Sequence, residues 1–298
     1  MRCLIIGADG TFGGALSLAL GRRGHGVITT TRRTQADRDD SILLDLAGPL
    51  PALPRADVAV ICAAMARLDE CRNHPELARR VNVTAPFELA KSLVRGGTRV
   101  ILLSTAAVFD GNKAHVEESE KPLPRSAYGR LKAEAEARLL ELGPLVCVLR
   151  LTKVVKPTAG LLSQWIAELG DGKKVRALSD RRFCPLAVAH AVDAMMALIE
   201  NGQGGVYHAS AAVDVSYADA ARFLARHVGV ASGKVEAVRA ADSGLNEAEL
   251  MPFTSLSCRR LSQLAGFVAP QPLDVLQDVY GHELDAAKHA RENRVGAL

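Results

Sequence analysis

The sequence contains no apolar run approaching the ~18 residues of a membrane span, so a transmembrane protein is not expected. Its opening, Met1 to Gly7, holds too short an apolar stretch for a signal-peptide core, and a cytoplasmic location is expected. Six cysteines stand at 3, 62, 71, 147, 184 and 258, with no CxxC and no Cys/His pair at metal-ligand spacing. No metal site is expected. Several of these thiols sit inside apolar segments such as Val60-Ile61-Cys62-Ala63-Ala64, so they read as buried free thiols in a reducing compartment. Dense basic tracts are also missing. The net charge of +4 comes from 37 basic and 33 acidic residues, and dibasic pairs such as Arg22-Arg23, Arg79-Arg80 and Arg259-Arg260 are far apart. That pattern excludes a nucleic-acid groove as the expectation and leaves a local anion site open. Internal repeats and low-complexity tracts are absent.

What remains is an ordinary globular composition, 48% hydrophobic and 23% charged over 298 residues, enough for one large domain and a smaller lobe. Short apolar runs at 2–6, 26–30, 57–62, 99–104 and 145–150 read as buried strands. Segments 12–23, 75–95 and 127–142 carry apolar residues at helical spacing. Strand-then-helix repetition predicts an α/β fold, a doubly wound parallel sheet covered on both faces. Residues 1–150 are expected to form a dinucleotide-binding domain and 151–298 a substrate lobe, with a stretch near 183–210 returning to the core. Helical patterns at 160–169, 187–200, 216–228 and 258–265 populate that lobe.

The first strand runs into Gly7-Ala8-Asp9-Gly10-Thr11-Phe12-Gly13 and then a helical segment. Three glycines at this spacing permit a tight turn and close backbone approach to a pyrophosphate, which the helix N-terminus then faces with free N–H groups. The second strand ends at Thr31-Arg32-Arg33. An NAD site places an acid here for the ribose 2′-hydroxyl, yet none appears before Asp37, whereas two guanidinium groups suit a 2′-phosphate. NADP is therefore the expected cofactor, with Arg32 and Arg33 its ligands. Farther on, the carboxylate of Asp45, before Leu46, either accepts from an adenine amino group or caps a turn.

Ser126-Ala127-Tyr128-Gly129-Arg130-Leu131-Lys132 opens a helix and puts Tyr128 and Lys132 on one face. A phenol titrates near ~10, and a neighbouring ammonium would pull it down toward useful acid–base chemistry. Upstream, the strand at 99–104 leads into Ser104-Thr105, a hydroxyl at the sheet edge where ligands bind.

Together the glycine motif, the Ser104-Thr105-Ala106-Ala107-Val108-Phe109-Asp110-Gly111 segment and the Tyr128–Lys132 pair resemble extended short-chain dehydrogenases. The closest likeness is to the dTDP-4-dehydrorhamnose reductase group, to which the methionine adenosyltransferase beta subunit also belongs. Cys62-Ala63-Ala64, Asp69, Pro75, Val81-Asn82-Val83, Arg182 to Asp193, and Gly205 to Ser210 with Ser216 extend it over nearly the whole chain. The resemblance implies Thr105, Tyr128 and Lys132 as catalytic residues. It implies a cofactor set of Gly7, Gly10, Thr11, Phe12, Gly13, Arg32, Arg33, Asp45, Leu46, Ala63, Ala64, Asn82, Tyr128 and Lys132. Val108, Trp165 and Arg182 would face substrate, although Trp165 also fits a core helix. The implied activity is NADPH-dependent reduction of a nucleotide-linked 4-keto sugar or related carbonyl. An NADP-dependent epimerase or dehydratase and a non-catalytic NADP-binding regulatory subunit are the alternatives, and a homodimer is left open. The sequence departs from the group at Ala106-Ala107, where Asp-Tyr is usual, at Met251-Pro252, where Arg-Pro is usual, and at Cys62, where an Asn precedes the Ala-Ala.

Overall fold

The computed structural model describes residues 1–33, 41–158, 160–244 and 250–296. Asp37 lies outside these residues. Strands β1 (Arg2–Ile6), β2 (Gly26–Thr31), β3 (Ser41–Leu43), β4 (Val58–Ile61), β5 (Arg99–Thr105) and β6 (Val146–Leu151) belong to one sheet. A later strand, β11 (Gly205–Ala209), completes it, in the order β11-β6-β5-β4-β1-β2-β3. Every pairing in it is parallel.

The strands are near-continuous Val, Ile and Leu because both faces are covered. Alternate residues point to opposite sides. Cys3, Ile5, Val58, Val60 and Ile101 pack beneath α1 (Thr11–Arg22) and α7 (Val188–Asn201). Leu4, Ile6, Ala59, Ile61 and Leu102 pack beneath α4 (Ala85–Arg95) and α5 (Ala127–Leu140). Chain order reverses between β1 and β4, so the loops after these two strands leave toward opposite faces and open a crevice at their C-terminal ends.

The segment expected as one helix over 75–95 is broken. After α2 (Leu68–Asn73), α3 (Pro75–Arg79) passes into a π-helical turn, Arg80–Thr84, before α4. Such single turns are frequent at functional sites, and this one carries the buried Asn82.

The smaller lobe holds β7 (Lys153–Val155), α6 (Gly160–Gly170), β8 (Val175–Leu178), β9 (Arg182–Phe183), β10 (Pro185–Ala187), β12 (Val215–Ser216), α8 (Tyr217–Val228), β13 (Val235–Val238) and α10 (Pro272–Gly296), whereas α9 (Arg259–Ala265), expected in this lobe, packs instead on the large sheet against β11 and α7 through Leu261. Its core joins Leu162, Trp165, Ile166, Phe223, Leu224 and Tyr280. The 25-residue α10 was not apparent from periodicity, because its buried Val275, Leu276, Tyr280 and Leu284 form a narrow stripe on an otherwise polar helix. All six cysteines are free thiols. Among the described residues no helix is long and apolar enough to cross a membrane.

Candidate active site

The turn after β1 must pass close to the loop after β4. Gly7 has φ +95°, and a Cβ there would lie 2.7 Å from the backbone nitrogen of Ala63, so only glycine allows the approach. Helix α1 then starts at Thr11 with Gly10 as its cap, no side-chain capping bond and no acid in its first turn. Its first N–H groups are left for an anion. Thr11, Phe12 and Ala64 line a cleft of about 400 Å³ together with Cys62, Leu103, Ser104, Thr105, Tyr128, Thr152 and Lys156. A second depression, between Leu50–Pro54 and α4, lies at the opposite, N-terminal end of the strands and holds none of these groups.

Tyr128 is delivered by local rules. Ser126 caps α5, its hydroxyl accepting from the Gly129 N–H at 3.0 Å. Gly129 lets the helix start press against the Ala106–Val108 turn: a Cβ there would meet the Ala107 carbonyl oxygen at 2.1 Å. This contact sets Tyr128 beside Thr105, whose hydroxyl accepts from the Ala107 N–H at 3.2 Å. The Tyr128 phenol is half-buried and, among the described residues, takes no hydrogen bond. Burial pushes its pKa up, helped by Cys71 and Glu136, instead of down as expected from Lys132. Lys132 is buried on the next turn and donates to the Leu103 carbonyl at 2.7 Å. Desolvation lowers its pKa from 10.5 to about 8, with Glu136 and Cys62 acting in the opposite sense.

Beneath the cleft lies a network from four separated segments. The Ser104 hydroxyl donates to Glu136, whose carboxylate receives Arg150 Nε at 3.1 and 3.0 Å and Nη2 at 2.6 Å. Arg150 Nη1 also donates to His208 Nε2 at 3.2 Å, and its guanidinium lies over the Phe109 ring. Burial, then the charge of Arg150, holds His208 down at about 3 and therefore neutral. Because Nε2 accepts, the proton sits on Nδ1, on the side of the Ser257 and Val116 backbone.

The remaining expected residues divide. Arg32 and Arg33 are exposed just beyond β2. Gly13 is buried in α1. Asp45 caps a turn, accepting from the Ala47 N–H at 2.9 Å, and Leu46 is core. Asn82 does not line the cleft. Its amide grips the backbone of Met65, accepting from the N–H and donating to the carbonyl, each at 2.9 Å, and so shapes the Ala63–Ala64 loop from behind. Val108 is fully buried against Phe109, Val116 and Leu256, away from the cleft surface. Trp165 is likewise a core residue, 4% exposed and edge-on to Tyr217. Val108 thus packs inward where the resemblance implied a substrate-facing side chain, and Trp165 takes the core placement that its helical pattern had left open. Arg182 is exposed and stacks over Phe253. Two cleft features were not foreseen: Thr152, whose buried hydroxyl has no partner among the described residues, and Lys156, which reaches from the lobe to the Thr11 hydroxyl at 3.0 Å.

The RmlD substrate binding domain matches residues 1–283, nearly the whole chain. The chain belongs to the RmlD family. A dTDP-4-dehydrorhamnose reductase of Mycobacterium tuberculosis is 30% identical over 251 residues, 80% of each chain. The probable low-salt glycan biosynthesis reductase Agl14 of Haloferax volcanii is 28% identical over 255 residues, 81% of this chain and 85% of that one. Among solved structures, the dTDP-4-dehydrorhamnose reductase of Bacillus anthracis in complex with NADP superposes with a TM-score of 0.77 at 20% identity, covering 94% of this chain and 99% of that one. RmlD relatives therefore share the fold from end to end.

Proposed function

We propose that this RmlD-family protein is an NADPH-dependent reductase of a nucleotide-linked 4-keto sugar. The observation that carries the reading is the convergence of Tyr128 and Thr105, from α5 and β5, on the same cleft as the glycine turn and the start of α1. In this reading residues 1–150 hold the cofactor and 151–298 most of the substrate. The close approach at Gly7 and the open N–H groups of α1 fit a diphosphate, and Arg32 and Arg33 fit a 2′-phosphate. When bound there, NADPH would supply the hydride. Thr105 donates a hydrogen bond to the substrate carbonyl oxygen, and Tyr128 gives that oxygen its proton as negative charge develops there. A raised phenol pKa keeps Tyr128 protonated for this donor role. Lys132, fixed by Leu103, adds positive charge behind the phenol and restores its acidity when the proton moves.

Ala106 and Ala107 leave no second acid or base beside Thr105, which favours simple reduction over epimerisation or dehydration. Met251 packs against the turn at Gly111, where a guanidinium would otherwise offer a substrate diphosphate two parallel bonds. Rhamnose-pathway dTDP-4-keto sugars are accordingly expected to be poor substrates, with kcat/KM below ~10⁵ M⁻¹s⁻¹. Following NADPH absorbance with a panel of nucleotide-linked keto sugars tests the reading. Turnover of one panel member supports it, and tight NADPH binding with no turnover across the panel contradicts it.

A further inference from the structure

The smaller lobe reaches the crevice through β7 and the residues after it. Side chains of the strand alternate: Val155 is buried in the lobe's own core, whereas Val154 and Lys156 line the cleft. Just past the strand, Thr158 takes a left-handed turn at φ +59°, and its N–H donates to the Glu283 carboxylate of α10 at 2.6 Å. Lys156 is therefore carried on backbone anchored in the lobe on both sides. Its ammonium crosses the cleft to the hydroxyl of Thr11, the first residue of α1, at 3.0 Å. That is a costly place for a cation. The first N–H groups of α1 carry the positive end of the helix dipole, with no side-chain cap and no acid in the first turn. Among the described residues Lys156 makes no ion pair that would offset this. The same cleft wall carries the Thr152 hydroxyl, 6% exposed and without a partner among the described residues, as a wall built for a polar ligand would.

We propose that Lys156 is a latch between the two parts of the molecule: its ammonium, supplied by the smaller lobe, binds the cofactor's diphosphate at the start of α1, so that cofactor binding ties the lobe to the large sheet. This rests on the dinucleotide reading of the crevice given above. An anion between Lys156 and the helix start turns their mutual repulsion into two attractions for one group. A compact charge on a flexible four-carbon stem suits a reach across an open cleft. Because Thr158 and Val155 fix the backbone of Lys156 within the lobe, pulling on the ammonium sets the position of β7 and of Val154 on the cleft wall. The lobe expected to hold most of the substrate is then placed by the cofactor, and the coupling is reciprocal: whatever stabilises the docked lobe also tightens the cofactor.

Calorimetric titration of NADPH, dTDP and adenosine 2′-phosphate against the unaltered protein, Lys156→Met and Lys156→Arg tests this. Lys156 is exposed, so both variants should fold. Adenosine 2′-phosphate has no diphosphate and reports the adenine end alone. In Lys156→Met the NADPH dissociation constant should rise about fivefold at ~0.05 M salt and much less at ~0.5 M, because an exposed ionic contact is screened. Lys156→Arg should stay within about twofold of the unaltered protein, since a guanidinium also holds phosphate. Adenosine 2′-phosphate should bind all three proteins alike. NADPH should also slow deuterium uptake at residues 153–158 in the unaltered protein and not in Lys156→Met. Unchanged NADPH affinity in Lys156→Met overturns the proposal, as does a loss shared by adenosine 2′-phosphate or one found for dTDP in place of NADPH, and the cofactor reading survives each. Weaker NADPH binding with equal slowing in both proteins overturns the tie between lobe and sheet. Unaltered protein that binds no NADPH overturns the cofactor reading and this proposal with it.

Discussion

Arg150→Met removes the cation from the buried network below the cleft. The Arg150 and Glu136 side chains are 4% and 2% exposed, so the methionine would leave a carboxylate in the core with only the Ser104 hydroxyl donating to it. Breaking such a pair costs ~3–5 kcal/mol, because the surviving charge stays desolvated. At roughly 2–4 °C per kcal/mol for chains somewhat shorter than this one, the melting temperature should fall by about 6–20 °C. Glu136→Gln alone should also destabilise, by stranding the guanidinium against His208. The double variant Glu136→Gln/Arg150→Met should lose less than the sum of the two, since neither charge is then left unpaired. Urea unfolding of the four proteins at neutral pH measures the coupling. Additivity within about 0.5 kcal/mol would refute the reasoning, as it would show that the two charges do not depend on each other.

Gly129→Ala should cut turnover by about a hundredfold, since the added Cβ collides with the Ala107 carbonyl and separates Tyr128 from Thr105. Steady-state kinetics alongside a cofactor titration would check that NADPH affinity changes far less. His208, held near 3 in the folded protein, has an ordinary value near ~6.5 once unfolded. The unfolded chain therefore takes up a proton that the folded one refuses, and stability should fall as pH drops from about 6.5 toward 3, by up to ~1.4 kcal/mol per pH unit. Urea midpoints across that range should show a shallower decline for His208→Gln. Lys132, with its value lowered to about 8, is an ammonium below that pH and a neutral amine above it. If its charge supports Tyr128, kcat/KM should decline above about pH 8, and a profile flat to about pH 10 would count against that role.

The sheet was legible because its strands are short apolar runs bounded by glycine turns, and a parallel sheet covered on both faces imposes that pattern. The Tyr128–Lys132 pair and the glycine turn were legible because their geometry is local, four to six residues of one turn or one helix. The network of Ser104, Glu136, Arg150 and His208 was not, since its members are separated by up to 104 positions and meet only after β11 joins β6. The inward packing of Val108 and the choice of core for Trp165 were not legible, because a position beside a site residue or on an apolar helix says nothing about which side it faces.

If Tyr128 protonates a substrate carbonyl in a cleft that binds the cofactor independently of it, the phenol is needed for turnover and not for binding. Tyr128→Phe, assayed side by side for NADPH binding and for NADPH oxidation with the best keto-sugar substrate, tests it most directly. The dissociation constant for NADPH should stay within about twofold of the unaltered protein while turnover falls by ~10²–10⁴. Turnover at the unaltered rate would contradict it.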